Sequence, residues 1–162
     1  MSSCQLRPNR VAIGNNEDIL IVRALGSGIV VCLYDERSKT GGVAYTLFPD
    51  SYARPDSAGG RSPKYVDTAL EILLEKLEAE GTPRERLWAK IIGGAKIFQF
   101  AEKLESENIG KRNIEAARRW LQEREIPIKA EDTGDSFGRT VRFQMETGIA
   151  EIRAVNNYVY CL

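Results

Sequence analysis

Leu25-Gly26-Ser27-Gly28-Ile29-Val30-Val31-Cys32-Leu33-Tyr34-Asp35 places a Gly-Ser-Gly turn directly before an apolar run that ends on an acidic residue. A short apolar run bounded by turn residues, rich in Ile and Val, reads as a buried strand. Working outward, Arg10 to Gly14 and Asp18 to Leu25 supply two strands before it. Val43 to Phe48 supplies another after it, and Pro49 ends that strand because it lacks an N–H for the ladder. The first third is therefore mostly β. The turn itself has two readings. Backbone amides in such a turn can face a ligand, yet the same geometry serves as an ordinary hairpin corner.

Further along, residues 50–64 are dense in Ser, Asp, Gly, Arg and Pro and are expected to form a surface loop. Val66, Ala69, Leu70, Leu73, Leu74 and Leu77 then recur at spacings of three and four, one apolar face of a helix closed by Gly81 and Pro83. Leu87 to Ile92 returns to strand character before Gly93-Gly94. Ile114, Ala117 and Leu121 mark a second amphipathic helix, basic on its outer face, that ends before Pro127. Strands are expected at Ile126 to Glu131, Thr140 to Glu146 and Ala150 to Val155, with Thr147-Gly148 as the hairpin turn between the last two. Two helices among some eight strands, many of them able to pair as hairpins, predict an α+β layered sandwich of mainly antiparallel strands.

Composition restricts the chemistry. The 162 residues, 43% of them hydrophobic, suit a single domain spanning 1–162. Lys+Arg and Asp+Glu both number 23, so no net field draws in nucleic acid or an anionic membrane. No apolar stretch approaches the roughly 20 residues of a membrane span, and the N-terminus lacks the pattern of a signal peptide; a cytoplasmic protein is expected. Cys4, Cys32 and Cys161 are odd in number and widely spaced, which predicts free thiols rather than a disulfide framework. Cys4 is placed in a frayed terminus and Cys161 beside the last residue, neither with a role. There is no histidine, so imidazole is closed to this chain as base, acid or metal ligand, and neither cofactor nor metal is expected.

Several blocks in order give a more specific reading. Leu25 to Asp35 resembles the signature of the CheD family, the chemoreceptor glutamine deamidases, in which LGSC precedes an apolar strand ending in Tyr-Asp. Gly41-Gly42-Val43-Ala44-Tyr45-Thr46-Leu47-Phe48-Pro49 is similar to that family's Gly-Gly, Ala-His, Leu-Pro segment. Lys64 to Ala69, Ala89 to Phe98, Ile109 to Asn113, Asp132-Thr133-Gly134 and Gly138-Arg139 resemble further family blocks. The resemblance covers about residues 10–155. It implies a deamidase in which a cysteine thiolate attacks a receptor glutamine, a histidine activates the thiol and a threonine orients the imidazole. It also implies two partners, the chemoreceptor cytoplasmic region and a CheC-type phosphatase.

This sequence departs from the family at all three catalytic positions. Gly28 stands at the cysteine, Tyr45 at the histidine and Val22 at the threonine. Without the nucleophile the covalent route is lost, which points to a non-catalytic binding protein. The alternative is deamidation by an unorthodox route, with Cys32 brought in by a bulge. In a regular strand Cys32 would sit about 13 Å from position 28, at roughly 3.3 Å per residue, and reads as a core residue. Ser27 lacks a base and serves the turn; Tyr45, a phenol titrating near ~10, can donate a hydrogen bond or fill the old pocket. Gly26, Ser27, Gly28, Tyr45, Gly93, Gly94, Arg112 and Asn113 are the candidate pocket or binding residues. Arg112, Asn113 and Arg139 are expected as structural anchors first and pocket lining second.

Overall fold

The structure is a computed structural model that describes residues 2–50, 62–96, 108–155 and 157–162. Ten strands and two principal helices lie among them: β1 (Ser3–Leu6), β2 (Arg10–Asn15), β3 (Ile19–Leu25), β4 (Ile29–Asp35), β5 (Thr40–Thr46), α1 (Val66–Ala79), β6 (Trp88–Gly93), α2 (Ile109–Glu123), β7 (Ile128–Thr133), β8 (Arg139–Gln144), β9 (Ala150–Ala154) and β10 (Val159–Cys161). They form two five-stranded sheets, ordered β1-β3-β8-β9-β10 and β2-β5-β4-β6-β7. Only β1 with β3 and β6 with β7 pair in parallel. The fold is the expected α+β sandwich of mainly antiparallel strands.

β4 explains the layering. All seven of its residues are buried, and because strand side chains alternate between faces, it feeds two cores at once. Ile29, Val31 and Leu33 join Leu70, Leu73, Leu77, Ala117 and Leu121 of the helices. Val30, Cys32 and Tyr34 join Leu20, Val22, Val141, Phe143 and Ile152 of the first sheet. The helices therefore cover one face of the second sheet and the first sheet covers the other. Every α1 residue that the periodicity assigned to its apolar face is 5% exposed or less. At about 25 cal/mol per Å², each such Leu contributes about 1.5–3 kcal/mol.

Three details differ from expectation. The Gly26–Gly28 turn is no hairpin corner: β3 lies in the first sheet and β4 in the second, so the turn carries the chain across the gap between sheets. β1 and β10 were not anticipated. Each is a short edge strand, and its own residues bury little, Leu6 alone in β1 and none in β10, so no apolar pattern marks it. Cys4 consequently lies in a strand opposite Leu20 rather than in a frayed end. α2 starts five residues before Ile114, because Asn108 caps it by accepting from the Lys111 amide at 3.1 Å. The surface loop expected at 50–64 falls mostly on residues 51–61, outside the described residues, as do Ile97 and Phe98 of the Ala89–Phe98 block.

Candidate functional site

The turn at Gly26–Gly28 is held by all three of its carbonyls, each from a different donor. Ala95 N donates to Gly26 O at 3.1 Å and Gly94 N to Gly28 O at 2.8 Å. The Asn113 carboxamide donates to Ser27 O at 2.9 Å and also to Leu47 O at 3.1 Å. Asn113 is fully buried, so these bonds form where water does not compete and fix the turn against α2 and the end of β5. The structure thus brings Gly26, Ser27, Gly28, Gly93, Gly94 and Asn113 together. Arg112 is half-buried one residue earlier on α2; among the described residues its side chain makes no hydrogen bond to this turn.

Gly93 and Gly94 are glycine by necessity. Their φ angles are 111° and 68°, and a Cβ at Gly93 would stand 2.6 Å from Gly28 O. A Cβ at Gly94 would meet the Ile114 side chain at 2.5 Å. Behind them, Gly134 N donates to Gly93 O at 2.9 Å, and Arg139, 1% exposed, reaches Asp132 at 3.0 Å and Gly134 O at 3.2 Å. Arg139 is the anchor that the sequence predicted. Ala24, at φ 55°, adopts a left-handed conformation costly for a residue with a Cβ; it marks the β3 irregularity between Val22 and Leu25 that aims the chain into the turn.

The three positions to which motif order assigns the family's catalytic residues lie at the gap between the sheets. Val22 (1% exposed) and Tyr45 (4%) belong to the inter-sheet core, and Gly28 is buried at its edge. A Cβ at Gly28 would lie 2.9 Å from Thr46 O, 3.0 Å from Leu47 Cδ2 and 3.2 Å from Tyr45 Cε1. The Tyr45 ring and the Leu47 methyl groups therefore press on the space into which a side chain at 28 would begin to grow. Burial raises the Tyr45 phenol above its ordinary range, so it stays protonated at neutral pH and can donate but not act as a base.

Cys32 offers no replacement nucleophile. Burial pushes its thiol up to about 12, with Lys90 opposing only in part, so the thiolate needed for attack is absent at neutral pH. β4 also keeps unbroken register with β5 and β6 from Ile29 to Tyr34, so no bulge carries Cys32 toward Gly28. Lys90 lies opposite Cys32 on β6, with its ammonium donating to Gly148 O at 2.8 Å and Leu162 O at 2.7 Å. It pins the β8–β9 turn and the chain beyond β10, a buried role that its place in a strand pattern did not signal.

Residues 47–154 match the profile of the family described as CheD chemotactic sensory transduction. The chain belongs to the CheD family. It is 47% identical over 132 residues to the chemoreceptor glutamine deamidase CheD of Halalkalibacterium halodurans, covering 82% of this chain and 81% of that protein. It is 39% identical over 144 residues to the chemoreceptor glutamine deamidase CheD of Thermotoga maritima, covering 89% and 87%. To the probable chemoreceptor glutamine deamidase CheD of Clostridium novyi it is 43% identical over 136 residues, covering 84% and 83%. The CheD profile match begins at Leu47 and ends at Ala154, so Val22, Gly28 and Tyr45 precede it and β10 follows it.

Proposed function

We propose that this CheD-family chain works by binding rather than by deamidation: it engages the cytoplasmic region of a chemoreceptor, a CheC-type phosphatase or both, in the cytoplasm, with a turn that no longer performs chemistry. The observation that carries this reading is Gly28. Position 28 presents no nucleophile, and the space beside it is bounded by Tyr45, Leu47 and the Thr46 carbonyl. Cys32 is protonated and sealed in the core. The hydrogen-bonded frame around the turn is nonetheless complete, which suits retention of a surface that a partner recognises. Among the described residues no helix is long and apolar enough to cross a membrane.

The test is mass spectrometry of a chemoreceptor cytoplasmic fragment after incubation with the protein, with a Val22→Thr, Gly28→Cys, Tyr45→His variant in parallel and a pull-down of both partners. No glutamine-to-glutamate conversion by the natural chain, together with capture of at least one partner, is the expected result. Conversion by the natural chain, or failure to capture either partner, refutes the proposal.

A further inference from the structure

β10 ends the first sheet, and its outer edge pairs with no strand among the described residues. Its hydrogen-bonding polarity is fixed by β9: Ala154 N donates to Tyr158 O at 2.9 Å, Ala150 N to Leu162 O at 3.1 Å and Leu162 N to Ala150 O at 2.9 Å. Residues of an antiparallel pair alternate between facing the partner strand and facing away, so Val159 and Cys161 turn their N–H and C=O groups to the open edge. Such edges are ordinarily guarded by charge, proline or a bulge. β7 carries Lys129, Glu131 and Asp132 and β2 begins with Arg10, while β1 exposes only Ser3, Cys4 and Gln5. Residues 154–162, Ala-Val-Asn-Asn-Tyr-Val-Tyr-Cys-Leu, hold neither charge nor proline. Beside this bare edge lie three of the four large apolar side chains that the described residues expose, Val155, Tyr158 and Val159. An apolar hollow of about 190 Å³, lined by Phe137, Ala154, Val155, Tyr158 and Tyr160, adjoins them.

A second copy of the same strand fits this edge. About a twofold axis through Tyr160, antiparallel pairing sets Val159 opposite Cys161 of the second copy, and each such outward-facing pair exchanges both of its N–H···O bonds. Tyr160 then meets its own counterpart, and Tyr158 at the rim of the hollow meets Leu162 of the second copy, so every cross-strand pair is apolar or aromatic. Charge selects the same register. On the outer face Val159 stands beside Arg153, which has Thr140 on its other side, and Cys161 stands beside Glu151, which has Arg142. Each outer row therefore runs Arg153, Val159, then Cys161 and Glu151 of the second copy, with opposite charges across an apolar centre. Pairing Val159 on Val159 or Cys161 on Cys161 would instead bring two Arg153 or two Glu151 side chains into line. An edge this short buries less than the roughly 1,200 Å² of a standard interface, which marks a weak, concentration-dependent association.

We propose that the chain self-associates through β10 into a symmetric dimer in which two copies of the first sheet join edge to edge. The inference is independent of whether the turn retains chemistry. The test is analytical ultracentrifugation of the intact protein from about 1 to about 500 μM, under reducing conditions that keep Cys4 and Cys161 from forming a disulfide. Expected is a weight-average mass that rises from 18.1 kDa toward twice that value. Val159→Lys, which puts a charge on the edge, should weaken association on the order of tenfold or more, and Ser3→Lys on β1 should leave it unchanged. Glu151→Arg and Arg153→Glu should each weaken it and the double exchange should restore it, a readout that serves if Val159→Lys misfolds by circular dichroism. A mass of 18.1 kDa at every concentration overturns the proposal, including in a chain that binds an extended Val-Tyr peptide instead of itself. So does a dimer that Val159→Lys or the single charge exchanges leave intact, that the double exchange fails to restore, or that Ser3→Lys removes.

Discussion

Replacing Gly28 by cysteine should destabilise this protein, and replacing Tyr45 by histidine at the same time should return part of the loss. The added Cβ would stand 2.9 Å from the Thr46 carbonyl oxygen, 3.0 Å from Leu47 and 3.2 Å from Tyr45. The backbone oxygen cannot swing aside as a side chain can. Overpacking of this kind costs about 1–3 kcal/mol, offset by about 0.4–1 kcal/mol because a residue other than glycine orders less on folding. The net expectation is a loss of about 1–2 kcal/mol, or roughly 2–8 °C in Tm for a domain of this size. Histidine is smaller than tyrosine and relieves the third contact while leaving the first. A double-mutant cycle should then show a favourable coupling of about 0.5–1.5 kcal/mol between positions 28 and 45. Urea unfolding followed by tryptophan fluorescence reads it, provided the m-value stays constant. Additivity within about 0.3–0.5 kcal/mol, or no cost for Gly28→Cys alone, would refute the claim that Tyr45 occupies the approach to position 28.

Three further outcomes are expected. Asn113→Ala should cost about 1–3 kcal/mol by leaving Ser27 O and Leu47 O without their buried donor, and should speed amide exchange at Gly94 and Ala95, measurable by NMR. Burial raises the Asp35 carboxyl, yet Ser38, the Arg37 amide and Arg86 more than offset it and hold it below the ordinary carboxylate range. A depressed folded pKa stabilises above the unfolded value near ~3.9 and the gain is lost as pH falls through the folded value. Asp35→Asn should therefore lower stability at pH 7, by about 1–3 kcal/mol given the part-exposed Arg86 partner, with the difference from the natural chain shrinking below about pH 4 in denaturant titrations. In a thiol titration with an aromatic disulfide, the exposed Cys4 and Cys161 should react in the native protein and Cys32 only after unfolding; a native reading of three rapid thiols would contradict its burial.

Much of this architecture was legible because its signals are local. The three-and-four spacing of Val66 to Leu77 specifies a helix with one apolar face whatever it packs against, and that face is buried as read. The run Ile29 to Tyr34 announces a strand buried on both sides, since no alternation is present to mark a wet face. Thr147-Gly148 turns the chain between β8 and β9 as expected, with Gly148 at φ 72°. Gly28, Tyr45 and Val22, singled out from motif order along the chain, lie in or at the edge of the core between the sheets. Other features depended on partners distant in sequence. β1 and β10 exist because β3 and β9 offer open edges, and their own residues bury too little to announce them. Whether the Gly26–Gly28 turn closes a hairpin or crosses between sheets depends on which strand β4 pairs with, and β5 and β6 won both of its edges.

By itself, then, the sequence determined the periodicities, the turn residues and the side-chain chemistry open to the chain, because these are properties of residues and of their near neighbours: a glycine has no nucleophile in any fold, and a chain without histidine has no imidazole. Only the tertiary structure decided that Tyr45 and Leu47 crowd the space beside Gly28, that Asn113 ties the turn from 86 positions away, and that Cys32 is sealed too deeply to ionise. Each of these depends on contacts between residues far apart in the chain, and strand pairing, sheet stacking and helix docking select those contacts only when the whole core forms.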